Sequence, residues 1–274
     1  MSVYGVIADV HGNLAALRAA LAFCAERGVS RVLCLGDVVG YNAEPNACVD
    51  LVRGLGAVTV AGNHDRIAAR ELGFGRCGDQ AAFALRRTRR TLGEGAGRFL
   101  AALPLGRLVE GDIYLTHGGV DDVCRYLRGA GAVAAEAALL GRRAPGVRLC
   151  LFGHTHERRL YEVRGGVAVE RDTTGEVEVS ARGAVFFLNP GSVDAARKSG
   201  ERFAEVALLD ASRRTASFHR VAYDHEGAEG RAAREGYRMA PADRWAYGAA
   251  KRARRAARGA LARLGLRPPS PDGA

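Results

Sequence analysis

No apolar run in the sequence approaches the roughly 18 residues that a membrane-spanning helix needs. The first apolar stretch, Val3 to Ala8, is short, lacks a basic flank and feeds straight into a polar loop, so no secretory signal is predicted. The six cysteines, Cys24, Cys34, Cys48, Cys77, Cys124 and Cys150, are scattered and include no C-x-x-C pair. Cys34 and Cys150 fall inside apolar, strand-like runs, where a thiol acts as a small hydrophobe. All six are expected to be reduced, which predicts a cytoplasmic protein. Aromatic residues are few, 7% against a hydrophobic content of 48%, the balance of an ordinary soluble enzyme. Acidic residues are short of basic ones, 30 against 40, giving a net charge of +10 carried mainly by arginine. A basic surface suits anionic partners such as phosphate esters, nucleic acid or acidic lipid. An arginine- and alanine-rich genome produces the same balance. No linker divides the 274 residues, a length that fits one large α/β domain or two small ones.

What the chain does have is a repeated unit of apolar strand, polar loop and helix. Val3 to Ala8 stops at Asp9-Val10-His11-Gly12-Asn13, and a helical pattern begins at Leu14 and ends at Gly28. In an extended segment, Asp9 and His11 would point the same way. Asn13 either caps the helix or supports the site. Arg31 to Leu35 runs into Gly36-Asp37, Pro45 opens a helix over about 45–53, and Ala57 to Ala61 runs into Gly62-Asn63-His64-Asp65. This is a parallel βαβαβ start with polar chemistry at every strand's carboxyl end. Residues 66–103 read as helical and arginine-rich, interrupted by Gly73, Gly75 and Gly78, an insertion that could shape access to a site. A hairpin over about 105–110 and 112–117 ends at His117-Gly118-Gly119. A helix over about 132–141 follows, and the strand Val147 to Phe152 delivers Gly153-His154-Thr155-His156.

Short alternating runs from about 158 to 222 then predict antiparallel strands forming a second sheet packed on the first, with a strong turn at Asn189-Pro190-Gly191-Ser192. The expected organisation is one unit over 1–225, a helical extension of it over 226–265, and a disordered tail over 266–274. In the extension, Trp245, Ala249, Ala253 and Ala256 repeat at helical steps among Lys251, Arg252, Arg254 and Arg255. That pattern fits a helix with a solvated basic face. It also fits a surface for nucleic acid, membrane or a partner.

Five of the seven histidines, His11, His64, His117, His154 and His156, fall in the strand-end loops, beside Asp9, Asp37 and Asn63. Imidazole and carboxylate without thiolate suit Mn, Fe, Zn, Co or Ni rather than a structural zinc. Eight such ligands are too many for one ion and suit two, about 3.5–4 Å apart and sharing a carboxylate, as displacement at phosphorus uses them.

The ordered blocks Asp9-Val-His11-Gly-Asn13, Gly36-Asp37, Gly62-Asn63-His64-Asp65, His117-Gly-Gly and Gly153-His154-Thr-His156 resemble the calcineurin-like metallophosphoesterase superfamily. The Asn189-Pro-Gly-Ser block and the strand-rich second half resemble its small prokaryotic branch, related to diadenosine-tetraphosphate hydrolases and small phosphodiesterases. The resemblance implies a four-layer αββα sandwich of two mixed sheets flanked by helices, with the basic C-terminal helix added. It implies that Asp9, His11 and His156 hold one metal, that Asp37 bridges, and that Asn63, His117 and His154 hold the second. Manganese is the favoured ion, with Fe, Zn, Ni, Co or Mg as alternatives.

His64 is then expected to face the phosphate and serve the leaving oxygen, with Asp65 accepting its other ring N–H. The implied reaction is hydrolysis by in-line attack of a hydroxide bridging the two metals, on a small phosphoester such as a dinucleoside polyphosphate or a cyclic nucleotide. Asn13 and Tyr41 are candidate substrate contacts. Tyr41 stands where the Ser/Thr protein phosphatases carry an arginine, which argues against a protein phosphatase. Two other functions fit the same fold: a non-catalytic scaffold, as in the retromer subunit, and a nucleic-acid-interacting protein. The scaffold relative lacks the catalytic histidine that His64 supplies here. Nucleic acid is not an expected partner, and the residues carry no signal for an oligomeric state.

Overall fold

Alternating apolar residues build two sheets that share one core. The computed structural model describes residues 3–195, 202–240 and, further on, 242–245, 248–249, 252–253 and 256–257. β1 (Val3–Ile7), α1 (Leu14–Glu26), β2 (Arg31–Cys34), α2 (Pro45–Gly54) and β3 (Val58–Thr59) form the expected parallel start, in spatial order β3-β2-β1. Asn13 caps α1 by accepting a hydrogen bond from the Ala16 amide, and Pro45 opens the first turn of α2. The insertion resolves into α3 (Asn63–Ala68), a 3-10 turn at Phe74–Arg76, α4 (Asp79–Thr91) and α5 (Glu94–Ala101). β4 (Gly106–Val109) and β5 (Ile113–Thr116) pair as the predicted hairpin. α6 (Gly129–Arg143) is longer than expected at both ends, and β6 (Leu149–Leu151) follows it.

The late strands β7 (Arg159–Arg164), β8 (Val167–Arg171), β9 (Glu176–Glu178), β10 (Ala184–Asn189), β11 (Ala204–Asp210) and β12 (Thr215–Val221) do not form a sheet of their own. They divide between two six-stranded mixed sheets, ordered β3-β2-β1-β11-β12-β9 and β4-β5-β6-β10-β7-β8. The reason is edge satisfaction. A three-strand parallel group would leave the outer edge of β1 unpaired, and β11 covers it antiparallel, just as β10 pairs parallel with the free side of β6. Each sheet thus holds three parallel strands, β1, β2 and β3 in one and β5, β6 and β10 in the other.

Between the sheets, Val6, Leu33, Leu35 and Val60 pack with Leu115, Leu149, Leu151 and Leu188. The alternate residues face helices: Ile7 and Cys34 join α1 and α2, while Cys150, Phe152 and Phe187 pack with Val133 and Leu140 of α6. The layers are therefore helix, sheet, sheet, helix. All six cysteines are free thiols, and among the described residues no helix is long and apolar enough to cross a membrane.

Within the expected helical extension, the described residues contain a break. α7 (His225–Arg234) stops at Glu235, because Gly236 takes φ 73° and ends it in left-handed backbone. Residues 237–240 then run without helix, and helix resumes among the described positions of 242–257, where Trp245 is exposed. The remainder of the predicted helix, 258–265, and the tail 266–274 lie outside the described residues. Because Leu188 is fully buried between the sheets, Leu188→Ala is expected to lower unfolding stability by about 2–5 kcal/mol in urea titration.

Candidate metal centre

Every parallel strand delivers its loop to the same end of the sandwich, and the loops turn inward by an uncommon backbone conformation. Among the described residues, eight non-glycine residues have positive φ, and five of them are Asp9, His11, Asp37, His154 and His156. Asp9 and His11, at φ 55° and 52°, are thus not extended: left-handed turning, rather than strand pleat, aims both at the centre. Two glycines make room. A Cβ on Gly62 would lie 2.0 Å from Asp37 Oδ1, and one on Gly40 would lie 2.4 Å from His64 Nδ1.

Three groups of potential ligands result, each with its donor atoms within 4.8 Å of one another: Asp9–His11–His156, Asp37–His117–His154 and His11–Asp37–His64. Asp9 Oδ1 lies 3.4 Å from His156 Nε2. His11 Nε2 and His156 Nε2 face each other at 3.0 Å. Asp37 Oδ2 stands between the first two groups, 3.8 Å from His11 Nε2 and 3.3 Å from His117 Nε2. Asn63 Oδ1 is 3.2 Å from His117 Nε2. The seven predicted ligands and His64 converge, and all are buried, as is Asp65. His64, His154 and His156 keep 4%, 5% and 8% exposure while Asp9, His11 and His117 keep none, so those three mark the open side.

Backbone carbonyls orient the rings. The Leu35 carbonyl accepts from His117 Nδ1 at 2.7 Å, which turns Nε2 inward. The Cys124 carbonyl accepts from His154 Nε2 at 3.2 Å, leaving Nδ1 as the lone-pair nitrogen. The Asp65 carboxylate, expected to accept from His64, is engaged by backbone amides. Its two carboxylate oxygens accept from the Val39 amide at 3.2 Å and the Gly62 amide at 2.9 Å, capping α3. Consecutive helical residues point about 100° apart, so His64 and Asp65 face different neighbours. Asn13 is the cap of α1, and its amide nitrogen is also committed, to Asp194 at 2.9 Å and the Tyr223 hydroxyl at 3.3 Å.

The Asn189 block, a turn by its sequence, braces the site. Asn189 Nδ2 donates to the Gly153 carbonyl at 2.9 Å and Thr155 Oγ1 at 3.0 Å, tying down the loop that carries His154 and His156. Ser192 Oγ and the Asp194 amide both donate to the Asp9 carbonyl. An asparagine at a strand's end followed by Pro-Gly is the signal that points to such a brace.

Two tyrosines rim the open side. The Tyr41 ring sits 4.7 Å from the His11 ring and 5.0 Å from the His64 ring. Tyr126, missed from the sequence because no motif surrounds it, stacks on His154 at 3.9 Å between centroids, with the Arg128 guanidinium 4.7 Å from its ring. A cavity of about 400 Å³ lies next to Cys124, walled by Arg66, Leu72 and Arg76 of the insertion and by Asp122 and Val123.

Comparison with known proteins accounts for this arrangement. Residues 1–214 match the family model of the calcineurin-like phosphoesterase superfamily domain. The chain belongs to that superfamily. It is 28% identical to an uncharacterised protein of Methanocaldococcus jannaschii over 242 residues, covering 81% of this chain and 88% of that one. The fold matches the crystal structure of a metallophosphoesterase from Sphaerobacter thermophilus with TM-score 0.70 and 28% identity, covering 86% and 94% of the two chains. A hypothetical protein from Pyrococcus horikoshii shares the fold at TM-score 0.67 and 19% identity, with 86% and 94% covered. The chain is a metal-dependent phosphoester hydrolase of a superfamily that typically binds two divalent metals.

The donor set of this hydrolase fits such a pair: hard carboxylate and amide oxygens and borderline imidazole nitrogens, with Asp37 Oδ2 lying between the Asp9–His11–His156 group and His117. Burial alone would raise the Asp37 carboxyl, but His117, His64 and His11 beside it hold it well below the usual carboxylate range. Burial works against a charged His117 ring, yet Asp37 and Asp9 raise it to about 9. His154, desolvated and next to His117, is lowered to about 3 and is neutral. A metal must therefore displace a proton from His117 at neutral pH. Manganese binding to the metal-free protein is expected to tighten as pH rises towards about 9, with proton release seen by calorimetry in buffers of different ionisation heat. Gly62→Ala, whose methyl would strike Asp37, is expected to lose most bound metal by elemental analysis.

Proposed function

We propose that this hydrolase cleaves a small phosphoester carrying a planar organic group, such as a dinucleoside polyphosphate or a cyclic nucleotide, with manganese in both sites. The observation that carries this reading is the exposed aromatic ring of Tyr126 stacked on His154 at the open side of the centre. A nucleobase or aryl group finds there a π-surface of the kind worth about 1–3 kcal/mol per stacked base. The neighbouring cavity of about 400 Å³ supports a small ligand.

In this reading Asp9, His11 and His156 bind one ion, Asp37 is shared, and Asn63, His117 and His154 bind the other. Bound there, the two ions supply Lewis acidity and an activated water for displacement at phosphorus. The chain's own residues do the rest. His64, at the open side, delivers a proton to the leaving oxygen, and its backbone amide donates to Asp37 Oδ1 at 2.8 Å, which couples its position to the shared carboxylate. Tyr41 packs against His11 and His64 and limits their rotation. Asp65 keeps α3 in register by capping it. Six free thiols support a cytoplasmic location.

The test is a panel of an aryl phosphodiester, an aryl phosphomonoester, dinucleoside polyphosphates and cyclic nucleotides with Mn²⁺. His64→Ala is expected to keep both metals by elemental analysis and lose at least about 100-fold in kcat. Asp37→Ala should lose metal as well as turnover. An empty centre in His64→Ala would move His64 into the ligand set. Tyr126→Ala is expected to raise KM about 10-fold for nucleotides while leaving a non-aromatic phosphoester unchanged; an equal effect on both would remove the stacking role.

A further inference from the structure

The loop between β2 and α2 carries Asp37, Gly40 and Tyr41, yet residues 35–44 have no helix or strand to hold them. On its inner side the loop is tied to the Asp9 loop. The Asn42 amide and Asn42 Nδ2 both donate to the His11 carbonyl, at 2.8 Å and 3.1 Å, and the Glu44 amide donates to the Gly12 carbonyl. Its outer side is held by a residue far along the chain. Arg238 Nη1 donates to the Tyr41 carbonyl at 2.7 Å and Nη2 donates to Asn42 Oδ1 at 2.8 Å. The second of these bonds fixes which way the Asn42 amide points, with its nitrogen towards His11.

Arg238 is itself aimed by its neighbours. The Tyr237 carbonyl accepts from Gln80 Nε2 at 2.7 Å, and the Met239 amide donates to Gln80 Oε1 at 3.0 Å, so one α4 side chain grips the backbone on both flanks. Tyr237 and Met239 are buried, and the Tyr237 hydroxyl bonds to Thr91 of the same helix at 2.9 Å. These residues lie beyond 1–214, the part that matches the family model.

We propose that residues 237–239 are a buttress for the metal centre and that Arg238 is a positioning residue acting through the Tyr41–Asn42 loop on His11 and His64. A planar guanidinium reaches both acceptors at once, whereas an ammonium is a single point charge. Released from Arg238, the loop lets the Tyr41 ring leave His11 and His64, and a displacement of about 1 Å at such groups costs up to about 100-fold in rate.

The test uses the full chain. With Mn²⁺ and an aryl phosphodiester, Arg238→Ala is expected to lower kcat at least about 10-fold, with KM within about 2-fold and both metals retained. Arg238→Lys should fall between it and the wild type. In a Tyr41→Ala background the Arg238→Ala change should cost little more, because both act through one loop. Independently of turnover, hydrogen exchange of the amides over 38–44 should speed up in Arg238→Ala while those of 149–151 keep their rate. The kinetic consequence rests on hydrolysis at this centre, but loop exchange does not, so a wild type inactive on the probe leaves the buttress testable. Unchanged exchange over 38–44, additive kinetics with Tyr41→Ala, or losses matched by a general rise in exchange would overturn the assignment.

Discussion

The structure depends on holding Asp9, His11, Asp37, His154 and His156 in left-handed backbone at the ends of packed strands. Non-glycine residues in that region cost on the order of 1–3 kcal/mol each where the surroundings must impose them. The surroundings do impose them here. The Asp9 amide donates to the Gly36 carbonyl, the His11 amide to the Asp37 carbonyl and the Gly12 amide to the Val38 carbonyl, so the Asp9 and Asp37 loops are stitched together. Ser192 and Asp194 close the other side on the Asp9 carbonyl. Backbone bonds join the Asp9 and Asp37 loops, and the Asn189 side chain and Asp9 Oδ2 hold the loop of His154 and His156.

That convergence brings carboxylates and imidazoles together away from water, an arrangement that is costly unless charge is balanced. The chain's own answer is the pairing of Asp37 with His117, which lowers one group and raises the other. Cations are the fuller answer, because the second ring nitrogens of His117 and His154 are already given to the carbonyls of Leu35 and Cys124. A ring anchored in this way presents one nitrogen and no rotational choice, as metal ligands require.

The two sheets serve this centre from both sides. Three parallel strands in each contribute loops at one end, and the hydrophobic layer between the sheets fixes their spacing. The open side is finished by pieces from elsewhere in the chain: the insertion walls the cavity, Tyr126 covers His154, and the segment after α7 reaches back to the Tyr41 loop. Of these pieces, only the segment after α7 lies beyond residues 1–214, the part that matches the family model.

The strand–loop–helix order, the candidate ligands and the family are legible in the chain as written, because apolar periodicity and short-range spacing are local properties, set residue by residue. Asp9, His11, Asp37, Asn63, His64, His117, His154 and His156 were all legible, since each follows an apolar strand directly. Tertiary structure alone decided the rest. Which sheet takes β11 or β10 depends on which edge is left unpaired, and no local pattern encodes that. Asp65 faces backbone amides instead of His64 because helix geometry separates neighbouring side chains. Asn13 caps α1 through the Ala16 amide, and Asp194, far along the chain, takes its amide nitrogen. Tyr126 and Arg238 carry no motif, and their roles come from contacts across long sequence separations, which only the folded chain brings within hydrogen-bonding and stacking distance.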